Sequence, residues 1–369
     1  MNKPPPRFSI DPDVTRAQTL DSHFYLDPAV YTQVREQVFA RSWQWLGPLD
    51  DVAAPGSVAP HTLLPGLLDE PLLLARDGDG TLRCLSNVCT HRGKLLVAQA
   101  GPADGIRCGY HSRRFDLAGR LRFMPGFEDA CNFPSHSDHL PQLPLQDWFG
   151  HGFVALDPAT DFGAWMAPVN ERLPWLDLRN YRADPSRSRS FEFDAHWALY
   201  VENYLEGLHI PFLHPGLNQV LDMDGYRYEQ AAWANLQLAR ARDDEAAFTP
   251  PPGSPEHGQR IAAYYWWLFP NLMLNFYPWG LSLNLVQPLG PARTRVLFRS
   301  FVADASLLGQ GAGGALDPVE MEDEAAVLSV QQGIRSRLYR RGRYSPQHER
   351  GVHQFHRLLA AALAASGQG

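Results

Sequence analysis

Lysine is all but missing from this 369-residue chain: only Lys3 and Lys94 occur, so arginine carries nearly all the positive charge. Positive charge is not in excess either, since 33 Lys and Arg face 40 Asp and Glu for a formal charge of −7. A protein that grips nucleic acid must neutralise phosphates, and this balance has the wrong sign for it. Cysteine is scarce too. Four in the whole chain are far from a disulfide scaffold, and a chain this long buries enough core to stand without staples. Long apolar runs are lacking: the most apolar tract, 262–290, is broken by Pro270, Pro278 and Pro288 and by Asn271, Asn275 and Asn284 before it could span a bilayer as a helix. It reads as buried strands. The opening MNKPPPRFSIDPDV has no apolar stretch behind its lysine, so no secretory signal is legible. The expected setting is the cytoplasm, without a membrane or nucleic-acid partner.

Patterning divides the rest. The proline-rich start reads as disordered. Over 27–43, Val30, Val34, Val38 and Phe39 recur at helical spacing after an Asp-Pro opening. From Trp45 the period shortens to that of strands, and 72–76 and 81–88 flank Asp77-Gly-Asp-Gly, a hairpin signal. Short strands continue to about Leu156. Beyond them 188–195 alternates like a strand, 197–213 reads as a helix, 226–242 and 262–303 as antiparallel strands, and two helices close the chain. The Gly/Ala-rich stretch 307–315 reads as a flexible connection. The expected fold class is α+β: a helical segment over 1–44 packing on the last domain, an all-β domain over 45–156, and a domain with an antiparallel sheet over 157–369.

Inside the β domain stand Cys89-Thr-His91-Arg-Gly and, after sixteen residues, Cys108-Gly-Tyr-His111. Each half offers one thiolate and one imidazole from a tight loop, the donor set of a [2Fe-2S] centre whose sulfur ligands hold one iron and whose nitrogen ligands hold the other. Random placement of this pattern is expected on the order of 2 times in 10,000. A zinc site could use the same four residues, but zinc fingers pair cysteine with cysteine and histidine with histidine, whereas each half here is mixed. A Cys89–Cys108 disulfide would leave both histidines unexplained. Cys84 and Cys131 read as buried, inert thiols.

A second constellation lies in Val201-Glu-Asn203-Tyr-Leu-Glu206-Gly-Leu-His209-Ile-Pro-Phe-Leu-His214. Glu206 and His209, three apart, would share a helix face, and Pro211 would distort the next turn and bring His214 back toward His209. Alone this pattern is weak, expected by chance about 0.06 times in a chain of this length. A third candidate adds weight. In a helix expected over 317–341, Val327, Val330, Ile334 and Leu338 mark a buried stripe, and Asp323 falls on it. A carboxylate facing a core is costly unless paired or metal-bound. With His209 and His214 it would complete a facial triad of two histidines and one carboxylate, the geometry of non-haem Fe(II). Glu320 shares that face and is the alternative ligand; Glu324 points away.

Taken together, the two constellations resemble the Rieske non-haem iron oxygenases, specifically their terminal oxygenase alpha subunits, over roughly residues 20–365. Arg92-Gly93 and Asp116-Leu-Ala-Gly119 are similar to the oxygenase type, and the two extra cysteines of respiratory Rieske proteins are missing. Gly109 stands where the family has proline, Ser112-Arg113 where it has Gly-Trp, and Leu328 replaces a common glutamate. The resemblance implies an N-terminal Rieske [2Fe-2S] domain, a helix-grip catalytic domain and a mononuclear iron held by His209, His214 and Asp323. It also implies a homotrimer in which Glu206 bridges the cluster of one subunit to the iron of its neighbour, with Asn203 shaping the site. Single electrons would come from a separate NAD(P)H-dependent reductase or ferredoxin, since the chain carries no GxGxxG fingerprint of its own. Glutamate at position 206 resembles the choline, carnitine and glycine-betaine oxygenases, whereas most relatives use aspartate.

The substrate expected is therefore a small organic molecule oxygenated with O2, with a quaternary ammonium or N-methyl compound favoured and an aromatic ring for dihydroxylation as the alternative. Tyr264, Tyr265, Trp266, Trp267, Phe269, Phe276, Tyr277 and Trp279 could cage an ammonium group or pack the sheet core. Arg113, Arg114, Arg120 and Arg122 could dock an acidic electron donor, and Arg335, Arg337, Arg340, Arg341 and Arg343 decorate the long helix; both groups read first as solvated faces. A rival of another class is a non-catalytic Rieske electron carrier fused to a ligand pocket.

Overall fold

The computed structural model describes residues 8–242, 244–314 and 316–364, so the proline-rich start expected to be disordered lies outside the described residues up to Arg7. Contacts divide the chain into two compact units, one of residues 40–159 and one of the residues up to Phe39 together with those from Thr160 onward. No described helix is long and apolar enough to cross a membrane.

The first unit is all-β. Its strands are β1 (Gln44–Pro48), β2 (Ser57–Leu63), β3 (Glu70–Arg76), β4 (Leu82–Ser86), β5 (Gly101–Pro102), β6 (Ile106–Arg107), β7 (Arg114–Phe115), β8 (Leu121–Phe123), β9 (Gln142–Leu143), β10 (Leu145–Trp148) and β11 (His151–Val154). They form sheets of order β5-β2-β3-β4-β9, β1-β11-β10 and β6-β7-β8. The Asp77-Gly-Asp-Gly turn joins β3 to β4 in antiparallel register, with Asp77 Oδ1 accepting the N–H groups of Asp79 and Thr81. Aspartate favours such turns by taking the backbone donors that a strand would otherwise use. Leu73, Ala75 and Leu85 of this hairpin meet Ile106, Phe115, Leu117 and Leu140 in one core, and Cys89 and Cys108 are part of it.

In the second unit, after a helical turn at His23–Leu26, comes α1 (Pro28–Val34), opened by Asp27 Oδ1 accepting the Ala29 N–H at 2.8 Å and continued by a π-helical turn, Arg35–Phe39. After α2 (Phe162–Arg172), the chain makes β12 (Arg182–Phe193), α3 (Trp197–Tyr204), α4 (Ile210–Leu213), α5 (Pro215–Val220), β13 (Leu221–Gln230), β14 (Ala234–Ala241), β15 (Ile261–Leu268), β16 (Leu272–Tyr277), β17 (Gly280–Gly290), β18 (Arg293–Val302), α6 (Leu316–Ile334) and α7 (Arg350–Ala364). The strands form one antiparallel sheet of order β12-β18-β17-β16-β15-β14-β13. The period of two gives its faces different tasks. Trp267 meets Phe355 of α7, which in turn meets Trp197 of α3. On the other face Tyr264 packs against Trp175 and Phe248.

Three expected elements change. The helix over 197–213 stops at Tyr204, because the Glu206 carboxylate takes the backbone N–H groups of Leu208 and His209 and so competes with the helical ladder. The penultimate helix ends at Ile334 rather than near 341, and the stripe is narrower than expected: Val327 and Ile334 are buried, but Val330, still within the helix, is 48% exposed and Leu338, past its end, 98%. Beyond the helix the carbonyls of Arg340 and Gly342 accept the N–H groups of Ser22 and Thr19, and Arg340 and Arg341 pair with Asp21. The arginines from 335 to 343 therefore lie past the helix. The stretch 307–315 is also more than a connector: Ala312 and Gly313 are buried, and Gly313 O accepts the Trp279 indole N–H at 3.2 Å. A Cβ on Gly313 would stand 2.3 Å from Trp279 Nε1 and 2.7 Å from the Tyr277 ring. Gly313→Ala is therefore expected to cost about 1–3 kcal/mol by overpacking, read as a lower melting temperature with the secondary structure retained.

Candidate active site and metal centres

In the first unit two loops repeat one geometry. Cys89 N–H donates to Lys94 O and Gly93 N–H to Cys89 O; likewise Cys108 N–H donates to Arg113 O and Ser112 N–H to Cys108 O. Each loop closes through a residue of positive φ, Gly93 at 70° and Ser112 at 62°. Glycine takes that conformation freely, whereas Ser112 does so at a cost of order 1 kcal/mol. The loops bury both cysteines and leave both histidines partly exposed. His91 Nδ1 and His111 Nδ1 face each other at 3.2 Å. Backbone N–H groups of His91 and of Tyr110 and His111 reach the sulfurs of Cys89 and Cys108 respectively. Two buried sulfurs and two opposed imidazole nitrogens are the donor set that a Rieske cluster requires. The other cysteines differ from expectation in one respect. Cys84 is buried, and burial pushes its thiol up to about 12, but Cys131 is exposed because it lies in the loop after β8, outside any core.

The second unit gathers His209, His214 and Asp323, whose ligand atoms all lie within 4.8 Å of one another. Pro211 does not bend a running helix here. The helix has already ended, and α4 restarts after His209 with Pro211 in its first turn. His214 then opens α5 ahead of Pro215. Both imidazoles turn Nε2 toward Asp323 Oδ1, at 3.6 Å from His209 and 2.9 Å from His214. Their Nδ1 atoms are held from behind, His209 by Glu206 at 2.5 Å and His214 by Glu322 at 2.6 Å. A carboxylate on Nδ1 fixes the tautomer and frees Nε2 for a metal. Burial pulls His214 down, yet Asp323 and Glu322 outweigh it and hold the ring above its ordinary value. The surroundings favour a positive charge, which suits a divalent cation. Asn203 Nδ2 donates to Asp323 Oδ1 at 3.0 Å. Glu320, the alternative ligand, stands apart from the trio and accepts the Tyr200 hydroxyl at 2.6 Å. Burial pushes its carboxyl well above the usual range.

Over this trio opens a pocket of about 760 Å³, its mouth included. Its floor is a row across the sheet, Gln237, Tyr265, Asn275 and Ser282, aligned by strand register. Tyr200, Tyr204, Tyr226 and Tyr277 join Tyr265 in its wall. Of the eight aromatics noted in the sequence, only Tyr265 and Tyr277 line it. Trp279 stacks behind Tyr277 at 5.4 Å, Trp267 is taken up by α7, and Tyr264 faces the other way. Sequence reasoning missed Glu322 and the tyrosines from α3 and β13. Glu322 was legible only as the residue beside Asp323, whereas Tyr200, Tyr204 and Tyr226 carry no spacing signature.

Both donor sets thus fit the groups that the motifs call for. A family model described as the ring hydroxylating alpha subunit (catalytic domain) matches residues 178–365, more than half of the chain, and the Rieske [2Fe-2S] domain matches 42–140. The chain is a Rieske non-haem iron oxygenase. Such an alpha subunit binds a Rieske [2Fe-2S] cluster and a mononuclear iron, uses dioxygen and draws on a separate electron donor. The alternative of a non-catalytic electron carrier falls with it. The oxygenase is 27% identical to choline monooxygenase from Spinacia oleracea, over 94% of this chain and 79% of that one. It is 28% identical to the carnitine monooxygenase oxygenase subunit of Escherichia coli K12, over 96% of each. A solved quaternary ammonium Rieske monooxygenase, described with carnitine oxidation and inter-subunit electron transfer, superposes with a TM-score of 0.74 at 24% identity, covering 95% of this chain and 96% of that one. Naphthalene 1,2-dioxygenase with bound indole gives 0.69 at 17%, covering 95% and 93%. These two structural likenesses speak for the fold.

Proposed function

We propose that this oxygenase monooxygenates a small quaternary ammonium or N-methyl compound. Cys89, Cys108, His91 and His111 hold the cluster, and His209, His214 and Asp323 hold ferrous iron. When bound, these groups supply single electrons and the activation of dioxygen. The protein's part is orientation. Glu206 and Glu322 point the two imidazoles, Asn203 steadies Asp323, and the tyrosine wall shields the substrate from water. The oxygenase works as a homotrimer in the cytoplasm, and Glu206 links the cluster of one subunit to the iron of the next. A separate NAD(P)H-dependent reductase or ferredoxin feeds the cluster.

The observation that carries the substrate reading is the pocket wall. Five tyrosines line it, together with Glu206, Glu320 and Asp323, and no lysine or arginine stands among its lining residues. Aromatic faces attract a methylated ammonium by about 0.5–2 kcal/mol each when desolvated. Two of the three carboxyls are spent on His209 and on the metal site, whereas Glu320 Oε1 has no hydrogen-bond partner among the described residues. A cation entering here meets a π-rich wall and the unpartnered Glu320 Oε1 as an acceptor, with no lysine or arginine against it. The names of the curated relatives, choline and carnitine monooxygenases, support the same class.

The test compares choline with 3,3-dimethylbutan-1-ol, which has its shape and lacks its charge. Choline is expected to bind about tenfold more tightly, a difference of about 1.4 kcal/mol. Equal affinity overturns the ammonium reading. Turnover of N-methyl substrates with a generic reductase should release formaldehyde or a hydroxylated product from one oxygen atom. A cis-diol from an aromatic substrate would move the enzyme to ring dihydroxylation.

A further inference from the structure

Arg113 belongs to a group expected on a solvated face, yet its side chain is only 2% exposed. It closes the second ligand loop directly after Ser112 and precedes β7, and the alternation there leaves Arg114 exposed while Arg113 and Phe115 are buried. The guanidinium sits 5.8 Å from the Phe115 ring centre and 5.5 Å from that of Phe133. Nη2 donates to Asp138 Oδ1 at 2.7 Å and to Asp138 O at 3.2 Å. Asp138 O also accepts the hydroxyl of Thr90 at 2.8 Å, and Thr90 lies between Cys89 and His91 in the other loop. Asp138 is held in turn by the Ser135 N–H and hydroxyl. One residue outside the ligand motif therefore receives both ligand loops. Burying a guanidinium this deeply is expensive, and an apolar ring would fill the same space at lower cost in desolvation. A buried charge also acts at short range in a low dielectric, and net charge beside an iron–sulfur cluster is one of the levers on its potential.

We propose that Arg113 and Asp138 form a clasp that ties the two cluster loops together and sets the cluster's reduction potential, Arg113 favouring the reduced state and Asp138 opposing it. Both are positioning residues and touch no substrate. The proposal rests on the assignment of Cys89, His91, Cys108 and His111 as the cluster ligands. That assignment has its own readout, the Rieske absorbance and electron paramagnetic resonance signal of the unmodified protein. If the signal is missing, the ligand assignment fails and the clasp with it.

Given that signal, mediated dithionite titration separates the clasp from a purely structural role. Arg113→Gln removes a positive charge and leaves Asp138, so reduction should become about tenfold less favourable, which is 59 mV downward for a one-electron couple. Asp138→Asn keeps the backbone acceptor for Thr90 and frees the arginine's charge, so the potential should rise. Arg113→Lys keeps the charge without the planar fork; its potential should stay near that of the unmodified protein while the cluster is lost sooner on heating. Opposite signs in the first two variants support the clasp. Shifts of the same sign, or none, overturn it. If Arg113→Gln retains no cluster, the other two decide: a rise in Asp138→Asn with an unchanged potential in Arg113→Lys supports the proposal, and any other pair of results defeats it.

Discussion

Asp323→Ala is expected to strip the mononuclear iron while the cluster's two irons and their spectrum remain. The reason lies in the geometry of the trio. Asp323 Oδ1 is the point on which both imidazole Nε2 atoms converge, at 3.6 and 2.9 Å. Asn203 already donates to that oxygen, and among the described residues no other carboxylate is placed to replace it, since Glu320 Oε2 accepts the Tyr200 hydroxyl and Glu322 holds His214 Nδ1. Two neutral imidazoles alone are a poor cage for a ferrous ion that prefers at least one hard oxygen ligand. Metal catalysis is worth several kcal/mol, so product formation should drop roughly a thousandfold or more. Iron analysis beside the cluster absorbance checks this. Full iron content and normal turnover in Asp323→Ala would sink the assignment of the ligand trio, and with it the catalytic reading of this pocket.

Glu206→Gln should give a different signature. The glutamine carbonyl still accepts the His209 Nδ1 proton, so the ring keeps its tautomer and the iron stays bound, but the negative charge is gone. If Glu206 also carries the link to a neighbouring subunit's cluster, turnover per bound iron should fall by about 10–100-fold. Glu322→Gln is the control. Glu322 holds His214 in the same manner, with Nδ1 at 2.6 Å, yet it has no bridging role in the proposal. Its glutamine carbonyl likewise still accepts the ring proton, so iron should stay bound and turnover per bound iron should remain nearly intact. Rapid single-turnover reduction, scored per iron, separates the two variants. Matching behaviour would reduce Glu206 to an orienting residue.

Much of the site was legible in the chain because its donors come in tight local sets. Cys89 with His91, Cys108 with His111, and His209 with His214 each sit within a few residues, so a local turn or helix break suffices to bring their side chains near one another. Asp323 was reached from another direction, as a carboxylate on an apolar stripe, and the stripe proved shorter than its sequence suggested. Leu338 continues the period but lies past the end of the helix, where the backbone around Arg340 and Gly342 is engaged by Thr19 and Ser22. Periodicity records which residues could face a core, not where a helix loses its hydrogen bonds to a competing segment. The same limit explains the break after Tyr204, where one side chain, Glu206, captures the donors that would have extended the helix.

What the sequence by itself determined is the chemistry: two mixed Cys–His loops and a His–His–carboxylate set name two iron centres, because ligand identity and local spacing constrain metals more tightly than any fold does. The tertiary structure decided everything that depends on residues far apart in the chain. It gathered Asp323, and not Glu320, beside His209 and His214, brought tyrosines from α3, β13, β15 and β16 into one wall, sent Tyr264 to the opposite face of the sheet, and buried the Arg113 side chain. Those outcomes follow from strand register and helix packing, in which a shift of one residue exchanges the faces of a sheet. A linear pattern holds no record of which partner strand sets that register.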